Sequence, residues 1–317
     1  MKQPVTTTVI IPSFNATRWI ARTIDSVLAD NDAARQIIVV DDGSTDNPVG
    51  VLGRYSDRIT AVYQPNMGPN VARNAGLAMS EGEFVFFLDS DDYILPGSLP
   101  EWVRDAHEQK ADFLLGPFAY EIDGERIPGR TYPSDATGYD IAMKWASGLF
   151  TPPCAVIWRT EFLRRLGGWS MLTNRATDND GELVHRALIC GARVGRSGRG
   201  LGVYVQHSSP DRVSKKRGET VVLAELNWIA SLDELASRTN SRFMPVVARL
   251  YYNAARRAFI EGFPGIGREG LSRCWRLDKQ GAHYGSVRHK LLSGLLGLER
   301  KEALSATIRR IRRSVSG

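Results

Sequence analysis

The chain has 317 residues, of which 43% are hydrophobic and 24% are charged, and its formal net charge is +6. These proportions are ordinary for a soluble globular protein, and no apolar run approaches the ~20 residues of a transmembrane helix. The first residues, MKQPVTTTVII, lack the apolar core of a signal peptide. Cys154, Cys190 and Cys274 are too widely spaced for a metal motif or an obvious disulfide framework. The sequence therefore predicts a cytoplasmic protein.

Short apolar runs alternate with helical patterns at the start of the chain. The patterns predict strands at residues 8–11, 36–40, 58–63 and 84–88, and helices at residues 18–28 and from residue 71. Strands that alternate with helices in this way are typical of a mostly parallel, doubly wound sheet. The G-x-G-x-x-G fingerprint is missing after the first strand, which argues against a dinucleotide-dependent oxidoreductase.

The pattern changes after residue 93 and becomes almost entirely helical from Glu219. Between these points we predict strand-like runs at 111–120, 154–158 and 201–206, helices at 99–109, 141–147, 161–166 and 180–190, and a hairpin around Asp123–Gly124. The sequence therefore predicts an α/β domain at residues 1–218. A helical C-terminal region at residues 219–317 would pack on it, oligomerise or lie on a membrane surface.

Acidic residues directly follow two of the predicted strands. Asp41 and Asp42 end the second strand, and Asp89, Asp91 and Asp92 follow the fourth. Open α/β sheets bind ligands at the carboxyl ends of their strands. Carboxylates this close together need a positive partner, and Mg²⁺ or Mn²⁺ suits their oxygens. The spacing leaves a solvated acidic turn, which caps the next helix, as the alternative.

Six short segments follow one another along the chain. They are VIIPSFN (Val9–Asn15), VVDDGSTD (Val39–Asp46), NMGPNVARNAG (Asn66–Gly76), FLDSDD (Phe87–Asp92), GGW (Gly167–Trp169) and DNDGELVHRAL (Asp178–Leu188). In this order and spacing they resemble the inverting nucleotide-sugar glycosyltransferases of family 2, across roughly residues 8–214. The resemblance implies a GT-A fold, with a Rossmann-like, mostly parallel doubly wound sheet.

The resemblance also implies how the donor nucleotide is held. Pro12, Phe14 and Asn15 would form a wall for the base and ribose. Asp42 would accept a hydrogen bond from the nucleobase, and Arg73 would lie beside the donor at the start of a helix, where anions are favoured. From the residues alone, Asp42 could equally cap a turn, and Arg73 could be a surface residue.

The D-x-D pair is assigned by the same resemblance. Asp91 would bind the Mn²⁺ or Mg²⁺ ion that bridges the two phosphates of the donor, and Asp89 would contact the ribose or a metal-bound water. His207 follows a predicted strand and would contact the metal or the diphosphate. Arg212, Lys215 and Lys216 form either a flap over the diphosphate or a solvated run of charge.

The general base lies in the last of the six segments. The family usually has a Glu-Asp pair there, and aligning Leu183 and Arg186 with its pattern places Asn179 and Asp180 at the pair. The resemblance therefore implies that Asp180 takes the proton from the acceptor hydroxyl. A helix N-terminus favours its ionised form. Asp178 is a rival for this role, and a helix cap is the structural alternative for Asp180.

The acceptor is expected to be a hydroxyl of a glycan or of a lipid-linked oligosaccharide, and the donor a UDP-sugar. Trp169 would face the acceptor sugar or else lie in the core. A nucleotidyltransferase that makes a nucleotide-sugar is the enzymatic alternative, although residues 12–15 lack its basic, glycine-rich phosphate loop. A glycan- or membrane-binding protein on the same scaffold is the non-enzymatic alternative. Nucleic acid is not expected, since no reader motif is present.

The C-terminal tail carries the positive charge of the chain. Between residues 268 and 317 there are 12 lysines and arginines but only 4 acidic residues. Leu304, Ile308 and Ile311 recur at helical spacing among arginines, which is typical of a basic amphipathic helix on an anionic membrane. The sequence thus predicts either peripheral contact with the inner face of the plasma membrane, or a packed helical bundle or homo-oligomer.

Overall fold

A computed structural model of the chain describes residues 7–30, 34–174, 179–207, 217–278, 284 and 297–302. The chain forms two compact units. The first contains residues 1–138, 149–175 and 191–210, and the second contains residues 139–148, 176–190 and 211–317. The domain boundary predicted at residue 218 stays a prediction. The compact units are divided differently, because two internal segments join the C-terminal helices.

Eleven strands and ten helices make up the described part of the chain. The strands are β1 (Thr7–Ser13), β2 (Ala34–Asp41), β3 (Thr60–Tyr63), β4 (Phe84–Phe87), β5 (Tyr93–Ile94), β6 (Phe113–Leu115), β7 (Phe118–Ile122), β8 (Glu125–Pro128), β9 (Val156–Arg159), β10 (Val194–Arg196) and β11 (Gly202–Gln206). The helices are α1 (Ile20–Leu28), α2 (Pro48–Leu52), α3 (Pro69–Met79), α4 (Ser98–Glu108), α5 (Gly138–Ala146), α6 (Thr160–Arg165), α7 (Asn179–Ile189), α8 (Glu219–Thr239), α9 (Met244–Glu261) and α10 (Pro264–Leu277).

The strands form two sheets in the first unit. The larger has seven strands in the order β10-β6-β9-β4-β1-β2-β3, and the smaller has four in the order β5-β11-β7-β8. In the larger sheet only β9 runs antiparallel to its neighbours. The predicted α/β class with a mostly parallel sheet is therefore confirmed, as is the helical C-terminal region.

The smaller sheet was not predicted, because the apolar run at residues 111–120 was predicted to form a single strand. Gly116 and Pro117 divide this run into β6 and β7, which belong to different sheets. Gly116 donates its backbone N–H to the carbonyl of Ala155 (2.8 Å), and Pro117 has no N–H to donate to a ladder. The hairpin predicted around Asp123–Gly124 is confirmed as the β7–β8 connection.

The central strands explain why the sheet forms. Every residue of β1 and β4 is buried, so both faces of these strands are covered. Helix α3 approaches β1 closely at Gly76, where an added Cβ would lie 2.5 Å from Ile10 Cγ2. The core of this unit therefore fixes β1 and β4, and with them the loops at their carboxyl ends.

The second unit is helical. Helix α9 packs against α8 and α10, and the largest fully buried side chains there are Trp228, Phe243 and Tyr251. Among the residues that the structure describes, no helix is both long and apolar enough to cross a membrane. The tail residues Leu304, Ile308 and Ile311 lie outside the described part, so the membrane prediction stays a prediction.

The ion pair between Asp112 and Arg193 joins the beginnings of β6 and β10. Asp112 is buried and accepts hydrogen bonds from the backbone N–H of Arg193 (2.8 Å) and from its guanidinium (3.2 Å). Burial alone raises the pKa of Asp112, but the hydrogen bonds and charge of Arg193 outweigh it and hold the pKa below its ordinary value.

We expect Asp112→Asn to lower the free energy of unfolding by about 1–2 kcal/mol at neutral pH, since charged hydrogen bonds are lost. Because the pKa of Asp112 is lower in the folded state than in the unfolded state, where it is ~3.9, its ionised carboxylate stabilises the folded state above that pH. This stabilisation is lost as the pH falls through the pKa of the folded state. Urea unfolding at pH 7 and pH 3 measures the difference. A gap between variant and wild type that is as large at pH 3 as at pH 7 would contradict the prediction.

Candidate functional site

The candidate site lies at the carboxyl ends of β1, β2 and β4. These strands are parallel neighbours, so Ser13, Asp41 and Phe87 end at the same edge of the larger sheet. The loops that follow carry most of the residues singled out in the sequence. All of the contacts described next, up to those of Asp180, lie within the first compact unit.

Asp42 organises the loop that leads from β3 into α3. Its side chain is 4% exposed. One carboxylate oxygen accepts hydrogen bonds from Gln64 Nε2 (2.7 Å) and Met67 N (2.8 Å), and the other accepts from Gly68 N (2.8 Å). These bonds use three of the roughly four lone-pair sites of a carboxylate. The predicted contact of Asp42 with the nucleobase stays a prediction.

The loop after β1 is fastened to the loop after β2. The Asn15 side-chain oxygen accepts a hydrogen bond from Thr45 N (2.9 Å), and Asn15 N donates to Ser44 Oγ (2.9 Å). Asn15 has a positive φ of 50°, a conformation that asparagine tolerates well. Pro12 is buried, whereas the ring of Phe14 is exposed, as a wall for a planar base requires.

Arg73 is buried, which excludes the surface role left open by the sequence. It is 6% exposed and donates from Nη2 to Asp89 Oδ1 (2.7 Å) and from Nη1 to Asn70 Oδ1 (3.2 Å). Its guanidinium lies 4.3 Å from the ring centre of Trp169. The Nε atom of Arg73 has no hydrogen-bond partner among the described residues. Asp89 is therefore held by a fixed positive charge.

Trp169 is 3% exposed, which favours the core role that the sequence left open. Its backbone N–H and carbonyl both bond to the side chain of Asn74 on α3, each at 2.9 Å. Its ring meets Phe87 edge to face at 5.1 Å and the guanidinium of Arg73. The predicted contact of Trp169 with the acceptor stays a prediction.

Asp91 and His207 form a close pair. The Oδ2 atom of Asp91 lies 2.6 Å from Nε2 of His207, and both side chains are mostly buried. The fully buried neighbour Asp92 accepts a hydrogen bond from Val205 N at 2.8 Å. That bond ties the end of β11 to the acidic loop and so places His207 beside Asp91. Sequence reasoning missed this role of Asp92.

The Asp91–His207 pair fits a divalent cation that is shared with a substrate. A carboxylate oxygen and an imidazole nitrogen are both accepted ligand types for divalent metals. Within the described residues, no three His, Cys, Asp or Glu side chains are grouped to hold a metal. Mg²⁺ commonly takes one or two protein carboxylates and completes its shell with water and substrate phosphates. The donor set therefore suits an ion that a diphosphate helps to bind.

One face of α1 supports the acidic loop, which the sequence did not indicate. The hydroxyl of Thr23 donates to the carbonyls of Ser90 (2.9 Å) and Asp92 (2.7 Å). Arg22 donates from Nη2 to the carbonyl of Asp91 (3.2 Å). Trp19, the residue just before the helix, stacks on the imidazole of His207.

Cys154 lies fully buried near the acidic loop. Burial, and then the charges of Asp92 and Asp89, raise the pKa of its thiol well above the ordinary value. The thiolate is the form that attacks electrophiles, so a buried thiol with a raised pKa is a poor nucleophile. All three cysteines are free, in agreement with the absence of a disulfide framework.

Asp180 lies in the first turn of α7, in the second compact unit. The same helix carries an ion pair between the buried Glu182 and the partly exposed Arg186 (2.7 Å). The start of a helix is the position that the sequence predicted for Asp180, and its role as base stays a prediction. The rival Asp178 and the basic residues Arg212, Lys215 and Lys216 lie outside the described residues.

Comparison with known proteins finds glycosyltransferases among the relatives of this chain. The putative teichuronic acid biosynthesis glycosyltransferase TuaG of Bacillus subtilis (strain 168) is 38% identical over 149 residues, which cover 43% of this chain and 56% of TuaG. The poly(ribitol-phosphate) beta-N-acetylglucosaminyltransferase TarP of Staphylococcus aureus (strain N315) is 34% identical over 126 residues, 38% of each chain. The matched stretches thus span less than two thirds of either relative.

The fold is shared with a solved structure. The crystal structure of S. aureus TarS 1–349 in complex with UDP-GlcNAc matches with a TM-score of 0.60 and 18% identity, and covers 88% of this chain and 93% of that chain. The model of the family described as glycosyl transferase family 2 matches residues 8–167, which is half of the chain. The chain therefore belongs to glycosyl transferase family 2.

Proposed function

We propose that this chain is a metal-dependent, inverting glycosyltransferase of the GT-A type. It transfers a sugar from a UDP-sugar to a hydroxyl of a glycan or a lipid-linked acceptor, in the synthesis of a cell-surface polymer. The observation that carries the proposal is the Asp91–His207 pair, at 2.6 Å, beside the Arg73–Asp89 ion pair. Both pairs lie where open α/β sheets bind their ligands.

The donor is proposed from this site and from the relatives together. The structurally similar TarS binds UDP-GlcNAc, and TarP is named as an N-acetylglucosaminyltransferase of a poly(ribitol phosphate). In this chain the exposed Phe14 precedes Asn15, whose backbone N–H is bonded to Ser44, and its ring offers an aromatic face to a base. These features support a uridine nucleotide as the donor.

Asp91 and His207 are proposed to hold Mn²⁺ or Mg²⁺ together with the diphosphate. When bound, the ion supplies positive charge that stabilises the leaving UDP. Arg73 adds a fixed positive charge on the same edge of the sheet, and its stacking on Trp169 and bond to Asp89 keep it in place. A preorganised charge of this kind costs no reorganisation during the reaction.

Asp180 is proposed to accept the proton of the acceptor hydroxyl. The hydroxyl oxygen then attacks the anomeric carbon while the bond to the UDP oxygen breaks on the opposite side. A single displacement of this kind inverts the anomeric centre.

Membrane contact by the basic tail is proposed to bring the enzyme to a lipid-linked acceptor.

Calorimetric titration with UDP, GDP and dTDP, in Mn²⁺ and then in EDTA, tests the donor site. We expect UDP to bind tightest. Its affinity should fall about tenfold or more with EDTA or in Asp91→Ala, because the proposed ion no longer bridges the site and the diphosphate. A tenfold change corresponds to about 1.4 kcal/mol. Asp57→Ala, an exposed aspartate outside the site, is the matched control and should bind like wild type. Equal binding in EDTA would remove the metal from the proposal, and no binding of any nucleotide would remove the donor site.

A further inference from the structure

The indole of Trp19 lies against one of the two proposed metal ligands. Its ring centre is 4.9 Å from that of the His207 imidazole, and the two planes are inclined by 23°, so the rings are stacked. Trp19 is half-buried just before α1, and its backbone N–H donates to the carbonyl of Ala16 at 2.8 Å. One face of the His207 imidazole therefore rests on the indole.

The indole is fixed relative to the acidic loop as well as to the histidine. Thr23, one helical turn from Trp19, donates its hydroxyl to the carbonyls of Ser90 and Asp92 on either side of Asp91. Residues four apart on a helix lie on the same face. The start of α1 and the residue before it therefore contact both halves of the pair, with Trp19 on the imidazole and Thr23 on the loop that carries the carboxylate.

Stacking restrains the imidazole in a useful orientation. When one ring face rests on an indole, the ring nitrogens point outward from the edge of the stack, and Nε2 of His207 meets Asp91 there at 2.6 Å. Without the indole, His207 would keep its place on the chain through the Val205–Asp92 bond, but its side chain would regain other rotamers. Metal ligands are commonly oriented by such outer contacts.

We propose that Trp19 is a positioning residue, which holds His207 with Nε2 facing Asp91 and thereby sets the affinity for the divalent cation. This inference rests on the proposed function, because it assigns Trp19 to the cation site of the donor diphosphate. Trp19 is expected to act through His207 and not by contact with the cation or the sugar. Its effect is expected on binding of the metal–nucleotide complex and not on binding of the nucleotide alone.

The test compares Trp19→Leu, which removes the aromatic face, with Trp19→Phe, which keeps one. Trp275→Leu is the matched control, since Trp275 is 47% exposed and belongs to the other compact unit. Calorimetry gives the Kd of UDP with Mn²⁺ and with EDTA for each full-length variant. We expect Trp19→Leu to weaken Mn²⁺-dependent binding about fivefold to tenfold, with Trp19→Phe within about twofold of wild type. Binding in EDTA should not change.

Tryptophan fluorescence gives a second readout that does not depend on activity. Mn²⁺ is paramagnetic, so its binding at His207 should quench the indole that rests on this ligand. We expect the quenching by Mn²⁺ and UDP to shrink in Trp19→Phe even though this variant still binds them, and to persist in Trp275→Leu. Quenching that is unchanged in Trp19→Phe would show that Mn²⁺ does not bind beside Trp19, and would overturn the inference.

The outcomes distinguish the inference from the function on which it rests. Suppose that the wild type binds UDP in a Mn²⁺-dependent way and that His207→Ala weakens this binding. If Trp19→Leu then binds like the wild type, only the proposed role of Trp19 is overturned. Wild type without any metal-dependent binding would overturn the metal proposal and the role of Trp19 together. Loss of UDP binding by Trp19→Leu in EDTA as well would show a general structural effect and also overturn the inference.

Discussion

Asp180→Asn is expected to lower kcat about 10²–10⁴-fold, the usual contribution of a general base. Asparagine has nearly the same shape but cannot take the proton of the acceptor hydroxyl. Asp180 lies in the first turn of α7 and is proposed to act on the acceptor hydroxyl and not on the nucleotide, so UDP affinity should not depend on it. We therefore expect UDP binding by calorimetry to match wild type while sugar transfer is nearly lost.

Asp178→Asn is the matched control for this prediction. The two residues have the same side chain and are separated only by Asn179, so the substitutions change the local charge equally. Initial rates at saturating donor and acceptor measure kcat for both variants. Loss of turnover in Asp178→Asn with activity kept in Asp180→Asn would move the base to Asp178. Wild-type turnover in both would remove a carboxylate base from this segment.

The central strands of the larger sheet could be located from the sequence, although their order in the sheet was not predicted. The residues of β1 and β4 are all buried, and such strands appear as unbroken apolar runs. The acidic residues that end β2 and follow β4 then mark the carboxyl edge of the sheet without further information. The general location of the candidate site follows from these local patterns alone.

The contacts that hold the acidic loop in place could not be predicted from the sequence, because they join residues that are far apart along the chain. The bond from Val205 to Asp92 spans 113 positions, and that from Thr23 to Asp92 spans 69. No local periodicity encodes such pairs, and Trp19 has the same spacing as the apolar residues of α1. The second sheet was missed for a similar reason, since β11 pairs with β7, a strand far from it along the chain.

Arg73→Met is expected to lower the free energy of unfolding by about 3 kcal/mol, because it leaves Asp89 without its partner. The guanidinium is almost fully buried, and the Asp89 carboxylate is partly buried beside it at 2.7 Å. Methionine keeps the length of the side chain and can still rest on the ring of Trp169, so the loss reports the charge. Arg54→Met, at an exposed arginine of the same unit, should change stability by less than about 0.5 kcal/mol.

The double variant Arg73→Met/Asp89→Asn separates stability from function. Removing both charges ends the penalty of an unpaired carboxylate, so urea unfolding should show most of the lost stability restored. UDP binding should not recover, because both groups are proposed to serve the donor and neither remains. A double variant no more stable than Arg73→Met would contradict the pairing as the cause of the loss. Recovery of UDP affinity with stability would instead make the pair a purely structural bridge between α3 and the acidic loop.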